Sequence, residues 1–330
     1  MNILVTGGMG FIGSNYIRHT LKRGATIINL DNLSYGSNRR SLHRVSTKRY
    51  RFVEGSITDF SLVTRLLKEV DYIVNFAAET HVDRSISDAR PFMNSNAEGL
   101  LTILRAMRRS SKEVRLLQVS TDEVYGTLQK GSFDEQSRLF PSSPYAASKA
   151  SADLFCMAFR STYGMNVVVT RCTNNFGPCQ FPEKLIPKTI IRAKLGLKVP
   201  IYGTGKNVRD WMYVEDHCEA IDKVLQDGRE GEVYNISSGN EMENTEVVSA
   251  VLELMGKPNI LIEHVEDRPG HDLRYSLDSS KIRERLGWKP KRPFHKALAN
   301  TVQWYMKNED WWRPLADKRV LHPTPWKLKW

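Results

Sequence analysis

The sequence predicts an α/β protein: a Rossmann-type doubly wound parallel sheet with a smaller mixed α/β lobe. Three observations predict it. Short apolar runs alternate with segments of helical periodicity from the first residues onward, a pattern typical of parallel sheets covered by helices. The apolar runs contain few polar residues, as expected for strands that are buried on both faces. A glycine-rich turn also separates the first run from the first helical segment.

The elements follow from these patterns in chain order. Strands are predicted at 3–5, 26–30, 51–55, 72–76, 115–119 and 166–170. Helices are predicted at 11–22, 60–69, 91–109 and 145–162, where apolar residues recur at helical spacing. After about residue 175 prolines and glycines become frequent, and further helices are predicted near 183–195, 215–227, 243–255 and 296–306. We therefore expect one domain over 1–175 and a smaller lobe over 176–330, with some segments returning to the main domain.

Composition excludes several classes of protein. The 330 residues are 41% hydrophobic and 26% charged, which is ordinary for a globular chain and excludes a disordered, collagenous or coiled-coil protein. No apolar run reaches the ~18 residues of a membrane span, and the N-terminus does not resemble a signal peptide. We therefore expect a cytoplasmic protein without a membrane partner. The aromatic C-terminal segment from Trp304 to Trp330 is expected to pack on the body or on a partner subunit.

Charge and cysteine content are less specific. The formal net charge of +11 fits a nucleic-acid partner or an anionic small substrate. No zinc-finger spacing or RNA-binding motif is present, so we expect no nucleic-acid partner and interpret the excess as a solvated basic surface. The four cysteines form no CxxC pair, which predicts free thiols and no metal site.

The first turn carries a candidate dinucleotide site. Gly7, Gly10 and Gly13 lie between the first strand and the first helix, where glycines allow backbone to approach a pyrophosphate at a helix N-terminus. Asp31 closes the second strand, where an acid can bind both ribose hydroxyls and repels a 2′-phosphate. The pattern therefore predicts NAD as the cofactor rather than NADP. We accordingly expect residues 1–175 to form the NAD-binding domain and residues 176–330 to be mainly a substrate-binding lobe.

A second group of residues suggests oxidation of an alcohol. Tyr145 and Lys149 are one helical turn apart, and the ammonium is expected to lower the pKa of the phenol towards neutrality. Thr121 ends the fifth strand, at the sheet edge where ligands bind in open parallel sheets. A hydroxyl, a tyrosine and a lysine there can remove a proton from an alcohol while hydride leaves.

The longer motifs resemble a known family. The glycine pattern, Asn75–Ala78 and Tyr145-x-x-x-Lys149 are similar to the extended short-chain dehydrogenase/reductase superfamily. The finer resemblance is to the dTDP-glucose 4,6-dehydratases, and it extends over about residues 1–330. The segments that carry it are 78–85, 120–126, 144–149, 173–178, 180–187, 209–211, 267–272 and 322–326.

The resemblance implies a function and a site. It implies that dTDP-glucose is converted to a 4-keto-6-deoxy sugar, with Thr121, Asp122, Glu123, Tyr145 and Lys149 as catalytic residues. The acid pair distinguishes a dehydratase from an epimerase, because elimination of water needs an additional acid and base. The implied cofactor contacts are Gly7, Gly10, Phe11, Ile12, Gly13, Asp31, Asn32, Ser34, Ser56, Ile57, Phe76, Ala77, Ala78, Thr80, Ser95, Tyr145, Lys149 and Cys172. The implied substrate contacts are His81, Thr121, Asp122, Glu123, Asn174, Lys184, Leu185, Pro200, Tyr202, Arg209, Asn244, Arg268, His271 and Tyr275.

Alternatives remain open at this point. A UDP-glucose 4,6-dehydratase, or another nucleotide-sugar dehydratase or epimerase, would use the same chemistry. A non-catalytic homologue that binds NAD or RNA would also fit the positive charge, although it has no need to keep the five catalytic residues together. The resemblance also suggests a homodimer that pairs the helices predicted at 91–109 and 145–162.

Overall fold

The computed structural model describes residues 1–43, 45 and 47–329. Its strands are β1 (Asn2–Thr6), β2 (Thr26–Asp31), β3 (Tyr50–Glu54), β4 (Tyr72–Asn75), β5 (Arg115–Thr121), β6 (Val167–Cys172), β7 (Asn174–Phe176), β8 (Val199–Tyr202), β9 (Val208–Tyr213), β10 (Val233–Ile236), β11 (Glu241–Glu243) and β12 (Ile262–Val265). Its helices are α1 (Phe11–Lys22), α2 (Phe60–Leu67), α3 (Val82–Ser87), α4 (Arg90–Phe92), α5 (Gly99–Arg109), α6 (Pro144–Tyr163), α7 (Leu185–Lys194), α8 (Val214–Asp227), α9 (Asn244–Leu254), α10 (Ser280–Leu286), α11 (Phe294–Lys307) and α12 (Glu309–Trp312).

Seven strands form the main sheet, in the order β10-β6-β5-β4-β1-β2-β3. Every neighbouring pair is parallel. Two apolar clusters cover its faces, one including α1 and α8 and the other including α2 and α5. The predicted doubly wound α/β fold is therefore confirmed. Since β1 and β4 are neighbours, the strand order reverses beside the glycine turn, which is where such sheets bind ligands.

The later part of the chain contributes to both layers. Strand β10 pairs with β6 at the edge of the main sheet, and α8 packs against α1. The other later strands form a three-stranded sheet, β11-β9-β7, and a two-stranded sheet, β12-β8. The division of the chain at residue 175 stays a prediction.

The aromatic C-terminal segment is packed on this smaller part. Trp311 and Trp312 are buried in the cluster that includes α7, α9 and α11. Further on, the Trp326 ring lies edge-on against Tyr202, with ring centroids 4.7 Å apart. The expectation that this segment packs on the body is met through Trp326, whereas Trp330 lies outside the described residues.

The helix predicted at 91–109 has a different internal structure. Residues 93–98 form a π-helical segment that joins α4 to α5. Such segments widen the turn and often occur next to functional sites. Here Ser95 faces the large cavity described below. Within the described ranges, no helix has both the length and the apolar character needed to cross a bilayer.

Candidate active site

A large cavity opens at the carboxyl ends of the main-sheet strands. Residues at or just after the ends of five strands line it: Gly7 after β1, Asp31 on β2, Phe76 after β4, Thr121 on β5 and Cys172 on β6. Gln180, Phe181, Glu183 and Lys184, which precede α7, also line it. The cavity therefore lies between the main sheet and the smaller part of the fold.

The glycine turn forms a close-packed cradle at one end of this cavity. A Cβ atom at Gly13 would lie 2.5 Å from the carbonyl oxygen of Gly7, and one at Gly7 would lie 2.6 Å from the amide nitrogen of Ala77. Gly7 also has a φ of +68°, which favours glycine. No side chain accepts a hydrogen bond at the N-cap of α1, Gly10. The free amides and the helix dipole can therefore hold a phosphate group.

Asp31 lies at the position expected for a ribose-binding acid. Its carboxylate is buried and accepts hydrogen bonds from the amides of Met9 and Leu33, both at 2.8 Å. Burial raises its pKa above the ordinary value, and the two amide bonds oppose this rise. Each carboxylate oxygen keeps a second lone pair, so Asp31 can also accept hydrogen bonds from both hydroxyls of a ribose.

Helix α6 places the tyrosine and the lysine in the cavity. Pro144 occupies its first turn, and the Ser143 hydroxyl caps it by accepting a hydrogen bond from the Ala146 amide at 3.1 Å. This sharp start is what the sequence favours at a helix N-terminus. It sets Tyr145 in the first turn, and Lys149 follows one turn later, so both side chains line the cavity.

The prediction that Lys149 lowers the pKa of the Tyr145 phenol towards neutrality was wrong. The pKa of Tyr145 is raised well above its usual value, chiefly by burial and then by the charge of Glu123. Lys149 instead donates from Nζ to the carbonyl oxygen of Val119 at 2.7 Å, and burial lowers its own pKa. The phenol is therefore protonated at neutral pH in this state of the protein.

The acid pair lies next to these groups. Thr121 ends β5 and caps the following turn, accepting a hydrogen bond from the Glu123 amide at 3.3 Å. Its hydroxyl donates to Oδ1 of Asp122 at 3.0 Å. The other oxygen, Oδ2, is buried and has no hydrogen-bond partner among the described residues. A buried polar atom that faces a cavity in this way is available to a ligand.

The surroundings act differently on the pKa values of the two carboxyl groups, Asp122 and Glu123. Burial and the charge of Glu123 raise the pKa of Asp122 to about 8, so Asp122 holds a proton at neutral pH. Burial also raises the pKa of Glu123, but the charges of Arg268, Arg209 and Lys184 oppose that rise. The pair can therefore provide an acid and a base at one pH, as elimination chemistry requires.

Most of the predicted site residues share this cavity. All the predicted catalytic and cofactor residues line it, as do His81, Asn174 and Lys184 from the predicted substrate set. The other substrate candidates do not line it: Leu185, Pro200, Tyr202, Arg209, Asn244, Arg268, His271 and Tyr275. The individual roles of all these residues stay predictions.

Arg209 and Arg268 do not line the cavity, but their charges act on it. Arg268 donates to Oδ1 of Asp83 at 2.9 Å, and Asp83 also accepts a hydrogen bond from Tyr202 at 3.1 Å. The guanidinium of Arg209 lies 4.3 Å from the centre of the Tyr275 ring and donates to a backbone carbonyl at 2.9 Å. Both arginines are buried, and their charges oppose the rise that burial causes in the pKa of Glu123.

The cavity contains residues that sequence reasoning missed. Tyr35, Glu79, Phe181 and Glu183 line it beside the predicted ones. Arg84, for which the sequence left a substrate role and an interface role open, lines it too. Glu79 belongs to segment 78–85, and Phe181 and Glu183 belong to segment 180–187. Both segments were singled out for their resemblance, so a sequence signal was present for these three residues. Tyr35 has no local pattern that distinguishes it from an ordinary loop tyrosine.

Comparison with known proteins places the chain in a family. The model of the family described as GDP-mannose 4,6 dehydratase matches residues 4–301. A dTDP-glucose 4,6-dehydratase from Streptomyces niveus is 48% identical over 96% of this chain and 96% of its own length. The chain belongs to the dTDP-glucose 4,6-dehydratase family. This confirms the resemblance that the motifs indicated.

Solved structures agree with the family assignment. DesIV, a dTDP-glucose 4,6-dehydratase from Streptomyces venezuelae crystallised with NAD, is 47% identical, with a TM-score of 0.94 over 96% of this chain and 100% of that chain. A UDP-glucose 4-epimerase from Thermotoga maritima has a TM-score of 0.87 but is only 29% identical over 94% of this chain and 100% of that chain. The fold is thus shared with epimerases, and the higher identity is with dehydratases.

Proposed function

We propose that the chain converts dTDP-glucose into dTDP-4-keto-6-deoxyglucose and water, in deoxysugar biosynthesis of the dTDP-rhamnose type. The observation that carries this proposal is the Asp122–Glu123 pair, which shares one cavity with Tyr145 and contains one carboxyl group that is protonated at neutral pH. The names of the curated relatives and of DesIV support it.

NAD fits the cavity as the cofactor. The backbone cradle at Gly7 and Gly13 has no room for side chains and would hold the pyrophosphate at the start of α1, while Asp31 would bind the ribose hydroxyls. When bound, NAD accepts a hydride from C4 of the glucose and later returns it to C6.

Tyr145 acts on the C4 hydroxyl. We assign it the uptake of the hydroxyl proton, with Thr121 as a hydrogen-bonding partner of the same group. Tyr145 can take up this proton only as a phenolate, which burial strongly disfavours, so the ammonium of Lys149 has to stabilise the phenolate before the proton is transferred. Loss of the proton and the hydride leaves a ketone at C4.

Elimination is assigned to the acid pair. The C4 ketone makes the C5 hydrogen acidic, because the resulting carbanion is an enolate. Glu123 removes this proton, while Asp122 donates its proton to the C6 oxygen, which leaves as water. Reprotonation at C5, together with hydride return at C6, completes the 4-keto-6-deoxy sugar.

The cations next to Glu123 serve the substrate diphosphate. Arg209 and Arg268 are assigned to it, because a guanidinium group binds phosphate oxygens in pairs. Arg268 is already paired with Asp83 at 2.9 Å. This fixed pairing would keep the guanidinium group in place for the phosphate.

The proposal is tested with two substrates in parallel. The purified protein is incubated with dTDP-glucose and with UDP-glucose, and the 4-keto product is read by its absorbance in alkali. We expect faster turnover of dTDP-glucose. Preference for UDP-glucose would assign the activity to the alternative dehydratase, and epimerisation without water loss would assign it to an epimerase. Salt-dependent RNA binding without turnover would favour the non-catalytic alternative.

A variant of the acid pair tests the mechanism. Glu123→Gln should still oxidise the sugar, so that NADH absorbance appears, but should form no 4-keto-6-deoxy product. Glu54→Gln is the matched control, because the Glu54 side chain is 59% exposed and pairs with Arg39. Normal dehydration by Glu123→Gln would refute the assignment of Glu123 as the base.

We also propose a cytoplasmic homodimer. Helix α6 carries two exposed apolar side chains, Leu154 at 60% and Phe155 at 36%, and Met93 is 48% exposed on the π-helical segment that α6 contacts. A second copy would cover this surface. Light scattering should give twice the chain mass, and Leu154→Glu should reduce the dimer to a monomer.

The proposed cytoplasmic location is supported by the cysteines. All four are buried free thiols, as is common in reducing compartments.

A further inference from the structure

Tyr35 joins two walls of the cavity that are far apart in the chain. It lies in the loop between β2 and the short 3₁₀ helix that begins at Arg39. Its hydroxyl donates to Oε2 of Glu183 at 2.7 Å. Glu183 precedes α7 and also lines the cavity. We call this hydrogen bond the Tyr35–Glu183 bridge.

The ring of Tyr35 also makes contacts, in addition to the hydrogen bond of its hydroxyl. The guanidinium carbon of Arg84, on α3, lies 3.9 Å from the ring centre, within cation–π distance. The ring of Phe181 lies 5.0 Å away, centroid to centroid, at an angle of 57°. Both neighbours also line the cavity. Tyr35 is thus fixed by residues from two other segments.

Glu183 gives the bridge an anchor that cannot easily move. It is buried, and its carboxylate also lies 3.4 Å from Nδ1 of His81. A buried carboxylate that loses a hydrogen-bond donor loses part of the compensation for its lost hydration, although Lys184 Nζ lies 4.0 Å from the other oxygen of Glu183. Breaking the Tyr35–Glu183 hydrogen bond would therefore cost free energy at the buried Glu183 carboxylate.

The same loop is tied to the predicted ribose acid. Leu33 has a φ of +56°, a left-handed conformation that is uncommon for a leucine. Its amide is held by Oδ1 of Asp31 at 2.8 Å, and the amide of Ser34 donates to Oδ1 of Asn32 at 3.1 Å. Strained backbone of this kind persists where the surroundings hold it, often at ligand sites. Here it turns the chain from Asp31 towards Glu183.

We propose that Tyr35 is a cofactor-retaining residue that holds NAD in the cavity through the Tyr35–Glu183 bridge. This inference rests on the proposed function, in which hydride taken from C4 returns to C6 of the same sugar. Loss of the reduced cofactor between these steps would leave an oxidised sugar that cannot be completed. Tyr35 is not assigned a part in the chemistry; it slows release.

The test measures NADH release directly. Protein loaded with NADH is mixed with excess NAD, and the decay of bound NADH fluorescence gives the dissociation rate. Tyr35→Phe, which removes only the hydroxyl, should release NADH about 5- to 10-fold faster, because one hydrogen bond is lost. Tyr35→Ala also loses the Arg84 and Phe181 contacts and should release it about 100-fold faster.

A matched control and a second measurement keep the test decisive. Phe140→Ala removes an aromatic ring that is 81% exposed, and it should leave the release rate unchanged. During turnover without added NAD, Tyr35→Ala should lose activity progressively and regain it when NAD is added. The wild type should keep its activity throughout. If Tyr35→Ala does not fold, Tyr35→Phe carries the comparison.

The outcomes separate this inference from the proposed function. Release rates equal to wild type in both Tyr35 variants would overturn the role of Tyr35 and leave the proposed function intact. Failure of the wild-type protein to bind NADH at all would refute the proposed function itself. Faster release in the Phe140→Ala control as well would also overturn the inference, because the effect would not be specific to the bridge.

Discussion

Replacement of Asp122 with asparagine should stabilise the protein while it removes activity. Burial and Glu123 raise the pKa of Asp122 from 3.8 to about 8 in the folded protein. Between these pH values the folded chain keeps a proton that the unfolded chain releases. This lowers the free energy of unfolding by about 1.4 kcal/mol for each pH unit above 3.8. The loss is absent below pH 3.8, reaches about 4 kcal/mol at pH 7, and stops growing above about pH 8.

An asparagine side chain cannot titrate, so the Asp122→Asn variant should escape this loss. An asparagine has nearly the same shape as an aspartate, and its amide oxygen can still accept the hydrogen bond from Thr121. The advantage of Asp122→Asn over wild type should grow by about 3 kcal/mol between pH 5 and pH 7. Glu123 is coupled to Asp122, so its titration differs between the two proteins. The remaining titrating groups are shared by both proteins and largely cancel in this difference.

Urea unfolding at pH 5 and pH 7 measures the effect. Asp227→Asn is the control, because the Asp227 side chain is 51% exposed and its ion pair with Lys223 should contribute less than about 1 kcal/mol. Asp122→Asn should also lower the rate of water loss about 10²- to 10⁴-fold, as expected for a lost general acid. A stability difference that does not change with pH would refute the buried, protonated state of Asp122.

Three further predictions concern other parts of the account. Gly13→Ala should abolish NADH binding in a fluorescence titration, because its Cβ would lie 2.5 Å from the Gly7 carbonyl; normal affinity would contradict the close-packed cradle. Arg171→Met should lower the free energy of unfolding by about 3–5 kcal/mol, since it leaves Asp153 buried without its 2.8 Å partner; a loss below about 1 kcal/mol would show that water reaches Asp153. Lys149→Met should slow NADH formation from dTDP-glucose at least about 100-fold in stopped flow; an unchanged rate would remove Lys149 from the oxidation step.

Local patterns in the sequence were sufficient for much of the fold. The apolar strand runs and the helical spacing of apolar residues depend on neighbours in the chain, so α6 was predicted to within one residue at each end. The glycine turn could also be predicted from the sequence, because glycine is the residue type needed where there is no room for a side chain. The π-helical segment at 93–98 was not, since a widened turn has no distinct apolar period.

The remaining errors arise from contacts between distant segments. The prediction for the pKa of Tyr145 considered Lys149, its helical neighbour, but the structure adds burial and the charge of Glu123. The contact of Tyr35 with Glu183 joins two loops that are 148 residues apart in the chain, and no local pattern encodes it. The ion pair of Arg268 with Asp83 likewise depends on how the smaller part folds onto the main sheet.

The central claim is that one cavity carries out oxidation, elimination and reduction on a single bound sugar. The most direct measurement uses dTDP-glucose with deuterium at C4, mixed with unlabelled substrate that carries a heavy-carbon label. The account predicts deuterium at C6 of the product, and only in molecules that began with it. Product without deuterium, or deuterium transferred to the carbon-labelled molecules, would contradict it.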